Sequence, residues 1–215
     1  MQGRYQAFLF DMDGTIINSI AAAERIWRAW ALRHGLDVAA FLPTIHGARA
    51  VDTIARVGLP GLDPETEAMG ITVAEIDDVE GIVAIAGAVA FLNALPPTQW
   101  AIVTSAPREL ALARLAAAGM PVPAVLVSAD DVRAGKPQPD CYLLAADKLA
   151  VDIARCLVFE DAAVGIAACE AAGAALMVVT ATHVHPLETR HASIDNYATL
   201  TTSTEDGLIS LQQRA

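Results

Sequence analysis

Two aspartates one residue apart, Asp11 and Asp13, are the residues of this 215-residue chain that most directly suggest chemistry. They follow the apolar run Phe8-Leu9-Phe10, which is typical of a buried strand. Because side chains at positions i and i+2 of a strand point to the same side, both carboxylates should project together where the strand ends. Such a pair raises the pKa of one member or requires a cation, and Mg²⁺ prefers oxygen ligands. Two solvated aspartates in a turn explain the pair equally well.

Three further polar segments lie at or beyond the ends of predicted strands. Thr104-Ser105 stands just before a predicted helix, where hydroxyls and helix N-terminal N–H groups can bind an anion. Lys136 lies in a loop that two prolines stiffen, and Glu160-Asp161 ends an apolar strand. Helix capping or a solvated surface could explain each one alone. Together they predict a cation and anion site at one edge of a sheet.

The second half of the chain alternates between short apolar runs and helical patterns. Strands are predicted over residues 8–10, 100–104, 122–127, 156–160 and 174–179, with helices over 87–95, 107–119, 139–149 and 163–172. This alternation predicts an α/β fold with a doubly wound parallel sheet. Ligands of such sheets bind at the carboxyl ends of the strands.

Residues 16–85 show little strand signal and read as an inserted all-helical unit. Helices are predicted from Ser19 to His34, from about Arg49 to Val57, and from Asp63-Pro64 to about Asp78. Trp27 and Trp30 should pack the buried face of the first of these helices. We therefore expect residues 1–15 and 86–215 to form the main domain and residues 16–85 a small helical domain.

Composition limits the partners. The formal net charge of −11 argues against nucleic-acid binding, and no apolar run is long enough to span a membrane. The chain shows no secretory signal pattern, and its odd count of cysteines, Cys141, Cys156 and Cys169, has no CxxC pair. We expect buried, reduced thiols in a cytoplasmic protein. A monomer with a small-molecule partner is a separate expectation, which composition does not decide.

Two C-terminal features are harder to interpret. His183, His185 and His191 could bind zinc, although a solvated loop is the favoured interpretation because no cysteine or carboxylate stands at ligand spacing. The polar segment from Thr201 to Ala215 is expected to fray.

The motifs, taken in order, resemble those of one superfamily. The segments Asp11-Met12-Asp13-Gly14-Thr15, Ile102-Val103-Thr104-Ser105, Gly135-Lys136-Pro137 and Val158-Phe159-Glu160-Asp161 resemble the four motifs of the haloacid dehalogenase superfamily, in its phosphatase branch. The helical insertion is similar to the small cap of the subgroup that contains β-phosphoglucomutase, phosphoglycolate phosphatase and sugar phosphatases. Segments such as Ile45-His46-Gly47 most resemble bacterial sugar phosphatases that act on hexose phosphates.

The resemblance implies a Mg²⁺-dependent phosphatase that forms an aspartyl phosphate on Asp11. Asp13 would protonate the leaving oxygen and then deprotonate water, and Lys136 would balance the charge. Thr104, Ser105 and Lys136 would hold the phosphoryl oxygens. The ligands of Mg²⁺ would be Asp11, the carbonyl of Asp13, and Asp161. Glu160 would either bind the ion as a further ligand or orient the other ligands without touching the ion.

Substrate choice would then depend on the cap, through His46, Gly47 and Arg49 between two cap helices. The alternative is that Arg49 is a first-turn helix residue and His46 a surface residue. Asn18 stands where many relatives have aspartate, which weakens a gating role there. Two other functions stay open. One is a phosphosugar mutase, disfavoured because Ala23 stands where the mutase has histidine, and the other is a non-catalytic protein that binds a phosphorylated ligand.

Overall fold

The computed structural model describes residues 3–184 and 188–213. Its strands are β1 Arg4–Tyr5, β2 Ala7–Phe10, β3 Ile17–Asn18, β4 Val83–Ala84, β5 Trp100–Val103, β6 Val125–Val127, β7 Cys156–Glu160, β8 Ala175–Val179, β9 Ala192–Ile194, β10 Leu200–Glu205 and β11 Leu208–Gln213. Its α-helices are α1 Ile20–Arg33, α2 Val38–Phe41, α3 Ala50–Val57, α4 Pro64–Asp77, α5 Ala88–Asn93, α6 Arg108–Ala117, α7 Asp140–Lys148 and α8 Ala163–Ala172.

Six strands form the main sheet, in the order β6-β5-β2-β7-β8-β9. Every neighbouring pair is parallel, and helices connect the successive strands of this sheet from β2 to β8. The predicted doubly wound α/β fold is therefore confirmed. The first strand of this sheet along the chain is the central strand β2. The sheet then extends on one side through β5 to β6 and on the other side through β7 and β8 to β9. The carboxyl ends of β5, β2 and β7 thus meet at the point where the strand order reverses, which is where such sheets bind ligands.

Alternating side chains of the central strands supply two cores, one on each face of the sheet. Phe8 and Phe10 join the larger hydrophobic cluster, whereas Ala7 and Leu9 join the other. This alternation follows from the period of two in a strand. All four residues of β2 are buried, as expected of a central parallel strand covered on both faces.

The inserted segment contains α1 to α4 and has a hydrophobic cluster of its own. Trp27, Trp30 and Phe41 pack against one another in its centre, and Ile54 and Ile71 join them from α3 and α4. The two ends of the segment do not belong to this cluster. They pack in the larger core of the main sheet, through Ile16, Ile17, Ile82 and Ile85. The exact domain boundaries stay predictions.

Two short strands were missed in this segment. β3 pairs with β4 in antiparallel orientation, through Ile17 with Ala84 and Asn18 with Val83. The segment was predicted to be all-helical, and these strands were missed because two residues are too few to show an alternating pattern. The predicted strand over 122–127 also begins later, at Val125, because Pro121 and Pro123 cannot donate ladder hydrogen bonds.

The C-terminal segment does not fray as expected. β10 and β11 form a hairpin, and β11 also pairs with β1 in a three-stranded antiparallel sheet. The prediction failed because Ile209 and Leu211 alternate with polar residues and bury their side chains in the larger core. Residues 214 and 215 lie outside the described part of the chain.

The three cysteines are buried and none of them forms a disulfide, as predicted. Across residues 3–184 and 188–213, the helices are too short or too polar to cross a lipid bilayer.

Candidate active site

Asp11 lies immediately after β2, at the carboxyl edge of the sheet. Its backbone N–H donates to the carbonyl of Phe159 on β7 at 2.9 Å, which fixes the residue beside the end of that strand. Its carboxylate is buried and lies 2.6 Å from Lys136 Nζ. Burial raises the pKa of Asp11 to about 7, even though the nearby lysine charge lowers it.

Lys136 connects Asp11 to the end of the neighbouring strand. Its Nζ also donates to Glu160 Oε1 at 2.8 Å, and Tyr142 donates its hydroxyl to the same oxygen at 3.2 Å. Burial by itself would lower the pKa of Lys136, but the Asp11 and Glu160 carboxylates outweigh it and hold this pKa well above its usual range. The lysine therefore carries a fixed positive charge inside the site.

Three carboxylates face one point at this edge. Ligand oxygens of Asp11, Glu160 and Asp161 lie within 4.8 Å of one another, and all three residues are buried. Burial raises the pKa of Asp161 well above its usual range, the charge on Glu160 raises it further, and a 3.0 Å hydrogen bond from the Thr15 hydroxyl opposes them. A hard divalent cation with oxygen ligands would relieve this repulsion, so the donor set fits Mg²⁺.

Gly14 is required for this close approach. Its φ is +85°, a backbone conformation that favours glycine, and a Cβ there would overlap the Asp161 carboxylate. The turn after the aspartate pair thus allows the Asp161 carboxylate to lie close to the segment that follows β2.

Asp13 is held from two sides through one oxygen. Its Oδ1 accepts from Ser19 Oγ at 2.5 Å and from Arg114 NH1 at 2.9 Å. The other terminal nitrogen of Arg114 binds Glu75 Oε1 of helix α4 at 3.0 Å. Ser19, Glu75 and Arg114 were not predicted from the sequence.

A signal for the last two was nevertheless present. Arg114 shares one face of α6 with Leu110, Ala111 and Leu115, and Glu75 lies one turn after Ile71 on α4. A charged residue in register with a buried apolar face is costly unless it has a partner. That pattern marks both residues as candidates for a buried ion pair.

A cavity of about 80 Å³ lies between the sheet edge and the inserted helices. The predicted site residues that line it are Asp11, Asp13, Thr104, Ser105, His46 and Gly47. Ser105 donates its hydroxyl to the carbonyl of Gly47 at 2.8 Å, and the hydroxyl oxygen of Thr104 accepts from the Ala106 N–H at 3.0 Å. The structure thus brings these six residues together, and the Thr104 hydroxyl also closes a short turn with the Ala106 N–H ahead of α6.

Arg49 is not among the residues that line this cavity. Its guanidinium makes two bonds to the Asp52 carboxylate, at 2.7 and 2.9 Å, and donates to the carbonyls of Val132 and Arg133. These contacts connect α3 to the loop after β6. They favour a structural role for Arg49 over contact with a substrate.

The histidines occupy different environments. Nε2 of His183 lies 3.0 Å from the carbonyl oxygen of Asp161. The predicted solvated loop therefore does not describe this side chain, which lies beside the site. His191 instead pairs with Glu170 at 2.8 Å. His185 lies outside the described residues, and among those described the carboxylate cluster above is the group with metal-ligand spacing.

Comparison with known proteins agrees with this geometry. A family model described as haloacid dehalogenase-like hydrolase matches residues 5–173. Hexitol phosphatase A of Escherichia coli (strain K12) is 41% identical over 182 residues, which cover 83% of this chain and 84% of that protein. The 2-deoxyglucose-6-phosphate phosphatase 2 of Saccharomyces cerevisiae is 33% identical over 198 residues, covering 81% of this chain and 80% of that protein.

The fold has solved counterparts. The crystal structure of CbbY from Rhodobacter sphaeroides in complex with phosphate superposes with a TM-score of 0.77 at 22% identity, covering 90% of this chain and 95% of that one. The family model matches most of the sequence. The sheet order and the carboxylates at the carboxyl edge of the sheet are consistent with that match. The chain therefore belongs to the haloacid dehalogenase-like hydrolase family.

Proposed function

We propose that this protein is a Mg²⁺-dependent phosphatase of small phosphorylated metabolites, with hexose and related polyol phosphates as its substrates. The named relatives are phosphatases of such compounds. The observation that carries the proposal is the buried group formed by Asp11, Lys136, Glu160 and Asp161, with Asp13 lining the same cavity as Asp11. A carboxylate, a fixed cation and a metal-ligand set in one place are what in-line transfer of a phosphoryl group requires.

In the first step, an oxygen of Asp11 attacks phosphorus and the bond from phosphorus to the sugar oxygen breaks. Asp13 donates a proton to that leaving oxygen, and the product is a neutral sugar with an aspartyl phosphate on the enzyme. In the second step, Asp13 accepts a proton from water as the water oxygen attacks phosphorus. The bond between Asp11 and phosphorus breaks and releases inorganic phosphate.

Charge neutralisation makes the first step possible. Lys136, with the Thr104 hydroxyl and the Ser105 backbone, would bind the phosphoryl oxygens. Mg²⁺ held by Asp11, Asp161, the Asp13 carbonyl and Glu160 would neutralise the repulsion between the Asp11 carboxylate and the phosphate dianion. Ser19 and Arg114 both bind Oδ1 of Asp13, an arrangement that orients the other oxygen for proton transfer.

We further propose that residues 16–85 act as a cap over the main domain formed by residues 1–15 and 86–215. His46 and Gly47 line the cavity from the cap side, consistent with a role in substrate choice. Admission of a sugar phosphate requires these helices to move, because the cavity holds about 80 Å³, far below the roughly 300–1,000 Å³ of small-molecule sites. Cytoplasmic location and a monomeric state stay predictions.

Two alternatives are weaker. A phosphosugar mutase would return the phosphoryl group to the sugar, yet Ala23 lines the cavity on α1 without a group that can transfer a proton. A non-catalytic protein would have no need of the complete set of acids. Product analysis separates the mutase from the phosphatase, because the mutase releases an isomeric sugar phosphate and no inorganic phosphate.

Release of inorganic phosphate from a panel of hexose, pentose and glycolate phosphates, with Mg²⁺ or with excess EDTA, tests the proposal. We expect turnover of hexose phosphates in Mg²⁺ alone. Asp11→Asn should lower turnover by at least about 10³-fold while circular dichroism shows an unchanged fold. Asp147→Asn, an exposed aspartate on α7, is the matched control and should leave turnover unchanged. Turnover in EDTA, or an active Asp11→Asn variant, would contradict the proposal.

A further inference from the structure

The leaving-group side of the cavity is built around a buried ion pair between the cap and the main domain. Glu75 of α4 and Arg114 of α6 are 7% and 5% exposed, and Glu75 Oε1 lies 3.0 Å from Arg114 NH2. Both residues line the cavity beside Asp13. Thr72 lies one helical turn before Glu75 and lines the same cavity, so this face of α4 is turned toward the site.

The pair has hydrogen-bonding capacity that protein atoms leave unused. Nε of Arg114 is buried and receives no partner from the described residues. Buried polar atoms in native structures usually have a hydrogen-bond partner. Arg114 Nε is a donor, so the partner it lacks is an acceptor. When ionised, the Glu75 carboxylate only accepts, whereas the guanidinium only donates. A sugar hydroxyl both donates and accepts, so one hydroxyl can bridge these two groups.

The charges of the cavity disfavour a second anionic group on the substrate. In the described part of the chain, the basic side chains that line it are those of Arg114 and His46. Arg114 is shared between Asp13 and Glu75, and Nε2 of His46 lies 3.5 Å from Glu24 Oε1. Arg49 is outside the lining and is occupied by Asp52. A second phosphate or a carboxylate would therefore meet carboxylates without a cation to pair with.

We propose that Glu75 and Arg114 determine substrate specificity by binding hydroxyl groups of the leaving group, so that the enzyme selects monophosphates with a neutral polyhydroxy tail over those with a carboxylate or a second phosphate. This inference rests on the proposed phosphatase function and names its substrate class. Glu75 acts as a hydroxyl acceptor, and its negative charge repels anionic tails. Arg114 supplies the donors and holds Glu75 in place.

The test compares kcat/KM for three phosphate esters at one pH above the value of about 7 to which burial raises the pKa of Glu75. The esters are a neutral hexose 6-phosphate, the phosphorylated sugar acid with the same carbon skeleton, and an aryl phosphate without hydroxyls. The wild type should prefer the neutral sugar over the sugar acid by at least about tenfold. Glu75→Gln should lose about 10–100-fold on the neutral sugar, since it weakens a hydrogen bond to a charged acceptor. The loss of kcat/KM that Glu75→Gln shows on the aryl phosphate should be at least tenfold smaller. The variant should also prefer the neutral sugar phosphate over the sugar acid by a smaller factor than the wild type does.

Asp77→Asn removes an exposed carboxylate from the same helix and should preserve all three rates. Wild-type enzyme that hydrolyses the sugar acid as fast as the neutral sugar overturns the inference without any variant. Equal losses of Glu75→Gln on all three esters also overturn it, because they indicate a structural role. Absence of turnover on every ester, the aryl phosphate included, would instead contradict the proposed function itself.

Discussion

At the scale of single residues, the site depends on charges that burial makes costly. Glu75 of helix α4 shows this most clearly. Burial raises its pKa to about 7 from an ordinary value of 4.5, although the nearby Arg114 charge lowers it and a hydrogen bond from Trp27 adds to that. The carboxylate is therefore kept near its point of titration at neutral pH.

This shift predicts a pH dependence of stability. Between pH 4.5 and about 7 the folded protein binds more protons at Glu75 than the unfolded chain does, so the free energy of unfolding falls as the pH rises through that window. Glu75→Gln lacks this contribution. The wild type should lose up to about 3 kcal/mol relative to the variant across the window. Urea denaturation of both proteins at several pH values measures the difference.

Asp77→Asn should give a curve parallel to that of the wild type, because Asp77 is exposed. Parallel curves for the wild type and Glu75→Gln would show that the carboxyl titrates normally in the folded protein.

At the scale of elements, strand ends and helix starts must approach each other closely to place the acids. Helix α8 begins three residues after Glu160, and Gly165 in its first turn packs against that side chain. A Cβ at position 165 would overlap the Glu160 carboxylate, which is itself bound to Lys136, Tyr142 and the Ala162 N–H. The absence of a side chain here allows β7 and α8 to share the site.

Gly165→Ala should therefore displace Glu160 and disturb Lys136. We expect a loss of at least about tenfold in kcat and of about 1–3 kcal/mol in the free energy of unfolding. Phosphate release and chemical denaturation measure both effects.

The same substitution in α4 is the control. A Cβ at Gly70 meets nothing within 4 Å, so Gly70→Ala should keep its activity and gain about 0.5–1 kcal/mol from its helix position. Full activity in Gly165→Ala would show that the position of Glu160 is not critical.

At the scale of the whole molecule, the C-terminal hairpin of β10 and β11 packs onto the larger hydrophobic core of the main sheet. Ile209 and Leu211 of β11 are buried with Phe8 and Phe91, and the Tyr197 hydroxyl donates to the carbonyl of Thr15 at 3.2 Å. The C-terminal hairpin is thus part of the main hydrophobic core, and Tyr197, which precedes β10, contacts the backbone of the first motif.

Ile209→Ala should cost about 2–5 kcal/mol of unfolding free energy, because it leaves a cavity in a fully buried position. Gln212→Ala, on the same strand but exposed, should change stability by less than about 0.5 kcal/mol. Chemical denaturation compares the two, and equal, small effects would mean that the hairpin does not contribute to the core.

The sequence predicted long, strongly patterned elements well and short ones poorly. The bounds of β7, Cys156–Glu160, and of α8, Ala163–Ala172, agree with prediction, since an apolar run and glycine stops define them locally. β1, β3 and β4 contain two residues each, too few for any period. β10 was missed because it consists mainly of threonine and serine, so it shows no alternation of apolar and polar residues and resembles a polar tail.

The site divides in the same way. Asp11, Lys136, Glu160 and Asp161 were recognisable because each ends a strand or lies in a loop beyond one, and the structure brings them together. The pair of Arg114 and Glu75 could be suspected on buried helix faces, but nothing local shows that α6 and α4 face each other. Only the packing of the two units determines that contact.

The central claim is that Asp11 carries the phosphoryl group during turnover. Rapid acid quench of the wild type with a hexose phosphate and Mg²⁺, followed by mass spectrometry of its peptides, tests this claim directly. We predict one added phosphoryl group on Asp11, absent without Mg²⁺ and absent in Asp11→Asn. A phosphoryl group on another residue, or steady phosphate release by Asp11→Asn, would contradict the account.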